Sequence, residues 1–223
     1  KVIRKYAKTP AKIGIAMAAG SFIPKNESEE EIEKARDKSF NSGIGLMNNR
    51  WWSDPILLGK PVTAYGFFKT HEKDMREIYQ PLDFVGINVY QPYGVSKRSL
   101  DESHKTSMGW TIDGDVLYWT IQFYSERYHL PVMVTENGMA NDDSVGSDGK
   151  VHDEKRTAFL RDYLGGVKRA VNEGFDVLGY QHWSLMDNFE WAHGYRPRFG
   201  LIHIDYKTQK RTIKDSAYFY KKV

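Results

Sequence analysis

Leu130-Pro131-Val132-Met133-Val134-Thr135-Glu136-Asn137-Gly138 is an apolar run that ends on a carboxylate and a turn dipeptide. Its apolar part reads as a buried strand over residues 130–135. Helical patterns lie on both sides of it. Upstream, Val116, Leu117, Thr120, Ile121 and Tyr124 recur at three and four residues, the spacing of one helix face. Downstream, Phe159, Leu160, Leu164, Val167 and Val171 share a face over residues 153–172, with Asp153 near the start and Gly174 placed to cap the end. A second strand, Phe175 to Trp183, follows. Strand, helix, strand in this order implies parallel pairing, because the helix must carry the chain back across the sheet.

The same alternation extends towards the N-terminus. Lys12 to Ala18 is a short apolar run bounded by Gly and Pro signals and reads as a strand. Ser28 with Glu31 has capping-box spacing and opens a helix carrying Ile32, Ala35 and Phe40, extending as far as Met47. A segment dense in Trp, Pro and Gly (Trp51, Trp52, Pro55, Gly59, Pro61) reads as loop, followed by a helix across Val62 to Tyr79 and a strand over Asp83 to Tyr90. A last helix is expected near Lys214 to Lys222. Four β/α units with no linker between them make residues 1–223 one domain and half of the eight-unit barrel that needs roughly 250 residues. The competing architecture is an open doubly wound sheet, although no Gly-x-Gly-x-x-Gly turn follows the first strand.

In such folds the reacting groups collect where strands end. Three strands end on polar residues: Asn88-Val89-Tyr90, Thr135-Glu136-Asn137 and Gln181-His182-Trp183-Ser184. Beyond the last lies Asp187-Asn188-Phe189-Glu190-Trp191, and then Arg198-Phe199-Gly200. Each signal is weak alone. A Glu before Asn-Gly is more often a turn residue, Asn88 and Tyr90 fit simple satisfaction of strand-end backbone, and Trp183, Trp191 and Phe199 serve core packing equally well. A carboxylate closing an apolar strand nevertheless needs a compensating partner or a function.

Composition narrows the classes. Lys and Arg number 32 against 29 Asp and Glu, and they are mixed along the chain, so no nucleic-acid partner is expected. No apolar run reaches membrane-spanning length, and Lys1 to Lys12 lacks a signal peptide's apolar core, so no membrane partner and a cytoplasmic location are expected. Cysteine is absent, which removes disulfides and thiolate metal sites. Six Trp and fourteen Tyr are an unusual aromatic share; flat aromatic faces can stack sugar rings, but on composition alone core packing is the commoner use.

Val134-Thr135-Glu136-Asn137-Gly138 resembles the Thr-Glu-Asn-Gly nucleophile motif of glycoside hydrolase family 1. Trp183 to Trp191, Arg198-Phe199-Gly200-Leu201, Asp205-Tyr206, Lys210-Arg211 and Lys214-Asp215-Ser216-Ala217 resemble the same family's C-terminal signature. Asp83 to Tyr90 and Met108-Gly109-Trp110 agree as well, so the resemblance covers essentially the whole chain. It implies a (β/α)8 barrel of which this chain supplies strands five to eight, and a retaining β-glucosidase-like hydrolase. Glu136 would be the nucleophile and Tyr90 the residue that orients it. Glu190, Trp191 and Trp183 would bind the sugar, Trp110 would line the leaving-group side, and Asn88 and Phe199 would stand near the reacting centre. Family members acting on phospho-sugars carry Ser with a nearby Lys at the acidic position, so Glu190 implies unphosphorylated β-glucosides or oligosaccharides, with galactosides and fucosides as the alternatives. No metal or cofactor is implied.

One part of the family pattern is missing. Retaining glycosidases use two carboxyl groups about 5–5.5 Å apart, and the family's acid/base Glu lies in an Asn-Glu-Pro motif that this sequence lacks. Asn26-Glu27 and Asn172-Glu173 lie in a loop and at a helix end, where neither substitutes. The expectation is a C-terminal half whose activity needs an N-terminal half-barrel, or self-association. The alternative is a catalytically inactive sugar-binding or structural half-barrel.

Overall fold

A computed structural model describes residues 1–41, 49–64, 68–69 and 71–223. The elements in chain order are α1 (Val2–Tyr6), β1 (Gly14–Ala18), α2 (Glu29–Asn41), α3 (Asn49–Leu58), β2 (Thr63–Ala64), β3 (Phe68–Lys69), α4 (Glu72–Ile78) and β4 (Phe84–Asn88). Then come α5 (Asp115–Tyr128), β5 (Val132–Asn137), α6 (Glu154–Asn172), β6 (Val177–His182), β7 (Ile202–Ile204), β8 (Arg211–Ile213) and α7 (Asp215–Tyr220).

Four strands form one parallel sheet in the order β1-β4-β5-β6. The order never reverses, so right-handed crossovers put the connecting helices on the same face. A doubly wound sheet reverses its order and covers both faces, and that architecture is set aside. Period-two alternation decides what each face carries. Met17, Val85, Ile87, Val132 and Val134 point to the helices and join Val116, Leu117, Ile121, Phe159, Leu160 and Tyr163 in one core cluster. Each such fully buried side chain stabilises the fold by about 1.5–3 kcal/mol. On the opposite face Ala16, Ala18 and Leu178 are exposed.

Half of the capping box forms at the start of α2: the Glu31 amide donates to Ser28 Oγ at 3.4 Å, while the Ser28 amide donates to Asn26 Oδ1 at 2.9 Å instead of to the Glu31 side chain. Gly174 takes a left-handed φ of 91° after α6, the conformation for which glycine is suited. The expected extension of the α2 helix to Met47 falls on residues 42–48, outside the described residues.

Two expectations are corrected. The Trp- and Pro-rich segment expected as loop is helix α3, with Pro55 inside it. Long-range anchors outweigh the local composition: Asn49 Nδ2 donates to the carbonyls of Gly20 and Ser39 at 2.8 and 2.7 Å. Asp54 accepts from Arg127 Nε and Nη2 at 2.9 and 2.6 Å and from the Tyr128 hydroxyl at 2.9 Å. The helix expected over Val62 to Tyr79 is also shorter: Thr63–Ala64 pairs antiparallel with Phe68–Lys69, and only Glu72–Ile78 is helical. Pairing between strands, which sequence spacing does not report, takes the first part. Residues 65–67 and 70 of that span lie outside the described residues.

Candidate active site

The C-terminal ends of β4, β5 and β6 are held together by side chains as well as by the sheet ladder. Asn137 Nδ2 donates to the Val89 carbonyl at 2.7 Å, and the Tyr180 hydroxyl donates to Asn137 Oδ1 at 2.7 Å. The register slips between Ile87 and Asn88 against β5, and again between Val134 and Asn137 against β6. Such irregularities re-aim side chains at a barrel rim, and they fall where Asn88 and Glu136 emerge. Asn88 Oδ1 accepts from the Thr135 hydroxyl at 2.6 Å.

Tyr90 lies two residues beyond β4 and donates its hydroxyl to Glu136 Oε2 at 2.7 Å. The Tyr163 hydroxyl fixes the Tyr90 carbonyl at 3.1 Å. Burial first, and then the bond to Glu136 and its charge, with Glu190 adding, push the Tyr90 phenol far above its ordinary value. Its proton therefore stays on the phenol, and Tyr90 acts towards Glu136 as a donor.

An aromatic wall surrounds this pair. The Tyr90 ring meets Trp110 edge-on at 5.5 Å and Phe199 at 6.4 Å, and Trp110 and Phe199 are 6.0 Å apart. Phe199 is 1% exposed, so it supports Tyr90 and Trp110 from behind.

A second carboxylate is held nearby by the loop after β6. Glu190 Oε1 accepts from Trp183 Nε1 at 3.2 Å and from Asn188 Nδ2 at 2.8 Å. Asn188 Oδ1 in turn accepts from the Ser184 hydroxyl at 3.1 Å. Trp191 follows Glu190 but stands 83% exposed, out in solvent rather than against the Trp110 wall. The Trp183–Ser184 peptide is cis.

Glycine at position 138 is required by close approach. A Cβ there would lie 1.8 Å from the Trp183 carbonyl oxygen, well inside van der Waals contact.

The arrangement offers one carboxylate, Glu136, with a fixed donor on one oxygen and its other oxygen engaged by no hydrogen bond among the described residues. A second carboxylate sits in an amide and indole cradle suited to hydroxyl groups, and flat aromatic surfaces lie beside both. No group of three or more His, Cys, Asp or Glu among the described residues is placed to hold a metal ion.

A profile described as Glycosyl hydrolase family 1 matches residues 1–223. The chain belongs to glycosyl hydrolase family 1. Within that family, Beta-glucosidase A of Thermotoga maritima is 41% identical over 235 residues, covering 100% of this chain and 52% of the relative. A Beta-glucosidase of Agrobacterium is 34% identical over 93% of this chain and 48% of its own length. The chain thus spans about half the length of the relatives it matches. The solved family 1 β-glucosidase of Thermotoga maritima superposes with a TM-score of 0.81 at 37% identity, over 100% of this chain and 52% of that one. A structure of the Thermotoga enzyme in complex with noeuromycin superposes equally well, with a TM-score of 0.81 at 36% identity and the same coverage. The four-stranded parallel sheet is accordingly part of a family 1 (β/α)8 barrel.

The structure brings Glu136, Tyr90, Trp110, Phe199 and Asn88 to one rim, and joins Glu190 directly to Trp183. Asn188, Ser184 and Thr135 stand among the polar residues quoted at and beyond the strand ends but receive no role from sequence, and Tyr163 is not named there. Asn188 had a signal, since it sits two residues before Glu190 in the quoted motif. Tyr163 had none, because it reaches the site from the middle of α6.

Proposed function

We propose that this chain supplies the nucleophile half of a retaining β-glycoside hydrolase acting on terminal, unphosphorylated β-D-glucosides. The observation that carries this reading is the Tyr90–Glu136 hydrogen bond at the strand ends of a family 1 half-barrel. A Glu136 oxygen attacks the anomeric carbon, the bond from that carbon to the aglycone oxygen breaks, and a glycosyl ester forms. The departing oxygen takes its proton from an acid/base carboxyl. Water then attacks the same carbon, loses a proton to that carboxylate, and releases the sugar and Glu136. Glu190 would accept hydrogen bonds from sugar hydroxyls on the cradle of Trp183 and Asn188. A carboxylate at that place repels a phosphate, which favours the unphosphorylated sugar.

The acid/base carboxyl is assigned to an N-terminal half-barrel, with self-association of this chain as the other way to close the sheet. Strands β1 and β6 are both sheet edges, which tend to pair. Beside β6 an apolar cavity of 650 Å³ is lined by Leu164, Val167, Tyr180, Phe219 and Tyr220, which suits a covering element.

Intact mass after incubation with 2-fluoro-β-glucosyl fluoride tests the reading, on this chain alone and with a candidate N-terminal half. An adduct on Glu136, absent from Glu136→Gln, is the expected result in the mixture. An adduct on the chain alone would show that self-association forms a working donor site. No adduct in either sample, or an adduct that survives Glu136→Gln, sinks the proposed nucleophile and favours a non-catalytic sugar-binding half-barrel.

A further inference from the structure

Beneath the loop that carries Glu190, the side chains of Arg156, Lys214, Asp143, Asp153 and Asp187 are each at most 1% exposed. Buried charges are costly unless paired and hydrogen-bonded, and here the pairing is dense. Lys214 Nζ donates to Asp143 Oδ2 at 2.6 Å and to Asp187 Oδ1 at 2.8 Å. Arg156 donates to Asp143, and to the Arg198 carbonyl at 2.7 Å. Lys214 thereby ties the start of α7 to the loops after β5 and β6.

Asp187 is where this network meets the site. Its Oδ1 also accepts from the Gly200 amide at 3.0 Å, and its Oδ2 accepts from Arg198 Nη1 at 2.8 Å. Both carboxylate oxygens are occupied, so the chain at residue 187 has little freedom to turn. The next residue is Asn188, which donates to Glu190. On the other side, Gly200 follows Phe199, the ring packed against Tyr90. Without Lys214, Asp187 keeps Arg198 and the Gly200 and Ile204 amides but loses its tie to the start of α7.

We propose that Lys214 is a positioning residue for sugar recognition, acting through Asp187 and Asn188 to hold the Glu190 carboxylate where hydroxyls of the bound sugar reach it. The inference rests on the glycosidase reading for the role of Glu190, while the Lys214–Asp187–Asn188 linkage stands on geometry alone. A residue that merely stabilises the fold would weaken catalysis and binding without regard to Glu190. A residue that works through Glu190 loses its effect once Glu190 can no longer accept normally.

The test is a double-mutant cycle on the barrel completed by its N-terminal half, using Lys214→Met, Glu190→Gln and the pair, read by trapping with 2-fluoro-β-glucosyl fluoride. Lys214→Met should raise the reagent concentration for half-saturation about tenfold, the scale of one misplaced charge-assisted hydrogen bond, and raise it more than it slows the limiting rate. In the Glu190→Gln background the same change should cost less than about twofold. Multiplicative effects of the two substitutions overturn the proposal. Asp187→Asn, which keeps an acceptor oxygen but weakens the bond to Lys214, gives a milder variant should Lys214→Met fail to fold, and it should show the same non-additivity in smaller degree.

Hydrogen exchange on the same unliganded assembly reads the linkage without catalysis. Lys214→Met should speed exchange across residues 185–198 and leave the β5 peptide with Glu136 unchanged. Uniform acceleration, or none, overturns the positioning role. Wild-type protein that traps no sugar while residues 185–198 respond as expected would sink the glycosidase reading and keep the linkage.

Discussion

The Tyr90 hydroxyl reaches Glu136 Oε2 across the gap between neighbouring strand ends at 2.7 Å, and its own carbonyl is fixed by Tyr163. A hydrogen bond to a charged acceptor contributes about 1.5–3 kcal/mol. Tyr90→Phe should therefore slow formation of the glycosyl ester by roughly 10- to 150-fold, with reagent half-saturation changing far less. Single-turnover trapping measures it. An unchanged rate would remove Tyr90 from the machinery.

Glu190 accepts from Trp183 and Asn188 and presents its remaining capacity to the site. Glu190→Gln should weaken sugar binding by on the order of 10- to 100-fold. The loss should shrink for glucosides lacking the hydroxyl that Glu190 contacts. Competition by a panel of deoxyglucosides measures this, and an equal loss for every member would count against direct contact.

Asp54 is buried between α3 and α5, bonded to Arg127 and Tyr128. Breaking a buried pair by removing one partner typically costs about 3–5 kcal/mol, and the partial exposure of Arg127 points to the lower end. Asp54→Ala should lower the urea midpoint accordingly. A change under about 1 kcal/mol would mean that α3 is held by something other than this anchor.

Two histidines should respond to pH in opposite senses. His152 is exposed between Asp215 and Asp148, at 2.6 and 3.0 Å, and its bond to Asp215 first, then that to Asp148, raise it above the ordinary 6.5. Its contribution is fully present below that ordinary value and is lost as pH rises through the higher folded one. His152→Gln should flatten the fall in stability on the alkaline side of 6.5. Urea midpoints across pH measure this, and an unaltered slope refutes it.

His182 has both ring nitrogens buried, with only a weak approach to the Phe199 backbone to favour its charged form. Burial first, then the charge of Arg156, press it down to about 3. As pH falls from its ordinary 6.5 towards about 3, the unfolded chain takes up a proton that the folded one refuses, and stability drops. His182→Leu should lose less stability over that window. The same midpoints decide, and a parallel loss in both proteins would contradict the buried neutral imidazole.

The four parallel strands were legible because apolar runs of strand length recur between helical periods, as at Val132 to Thr135 between α5 and α6. Helix α3 was not legible, since its stability comes from Arg127 and Tyr128, far away in sequence. The hairpin β7–β8 escaped because two strands of three residues show no period. At the site, strand-end logic found Asn88, Tyr90 and Glu136, but only the family resemblance assigned them roles. The support from Lys214 and Arg156 was hidden, because a buried cation has the same letters as a solvated one until its partners are placed.

Gly138 gives the site a caliper made of empty space. With a Cβ there falling 1.8 Å from the Trp183 carbonyl, all nineteen alternatives would wedge the end of β5 away from the end of β6. The gap between Glu136 and Trp183 would widen with them. In a saturation library this position should therefore score like a substrate-contacting one, intolerant of even alanine, although it presents no side chain to any ligand.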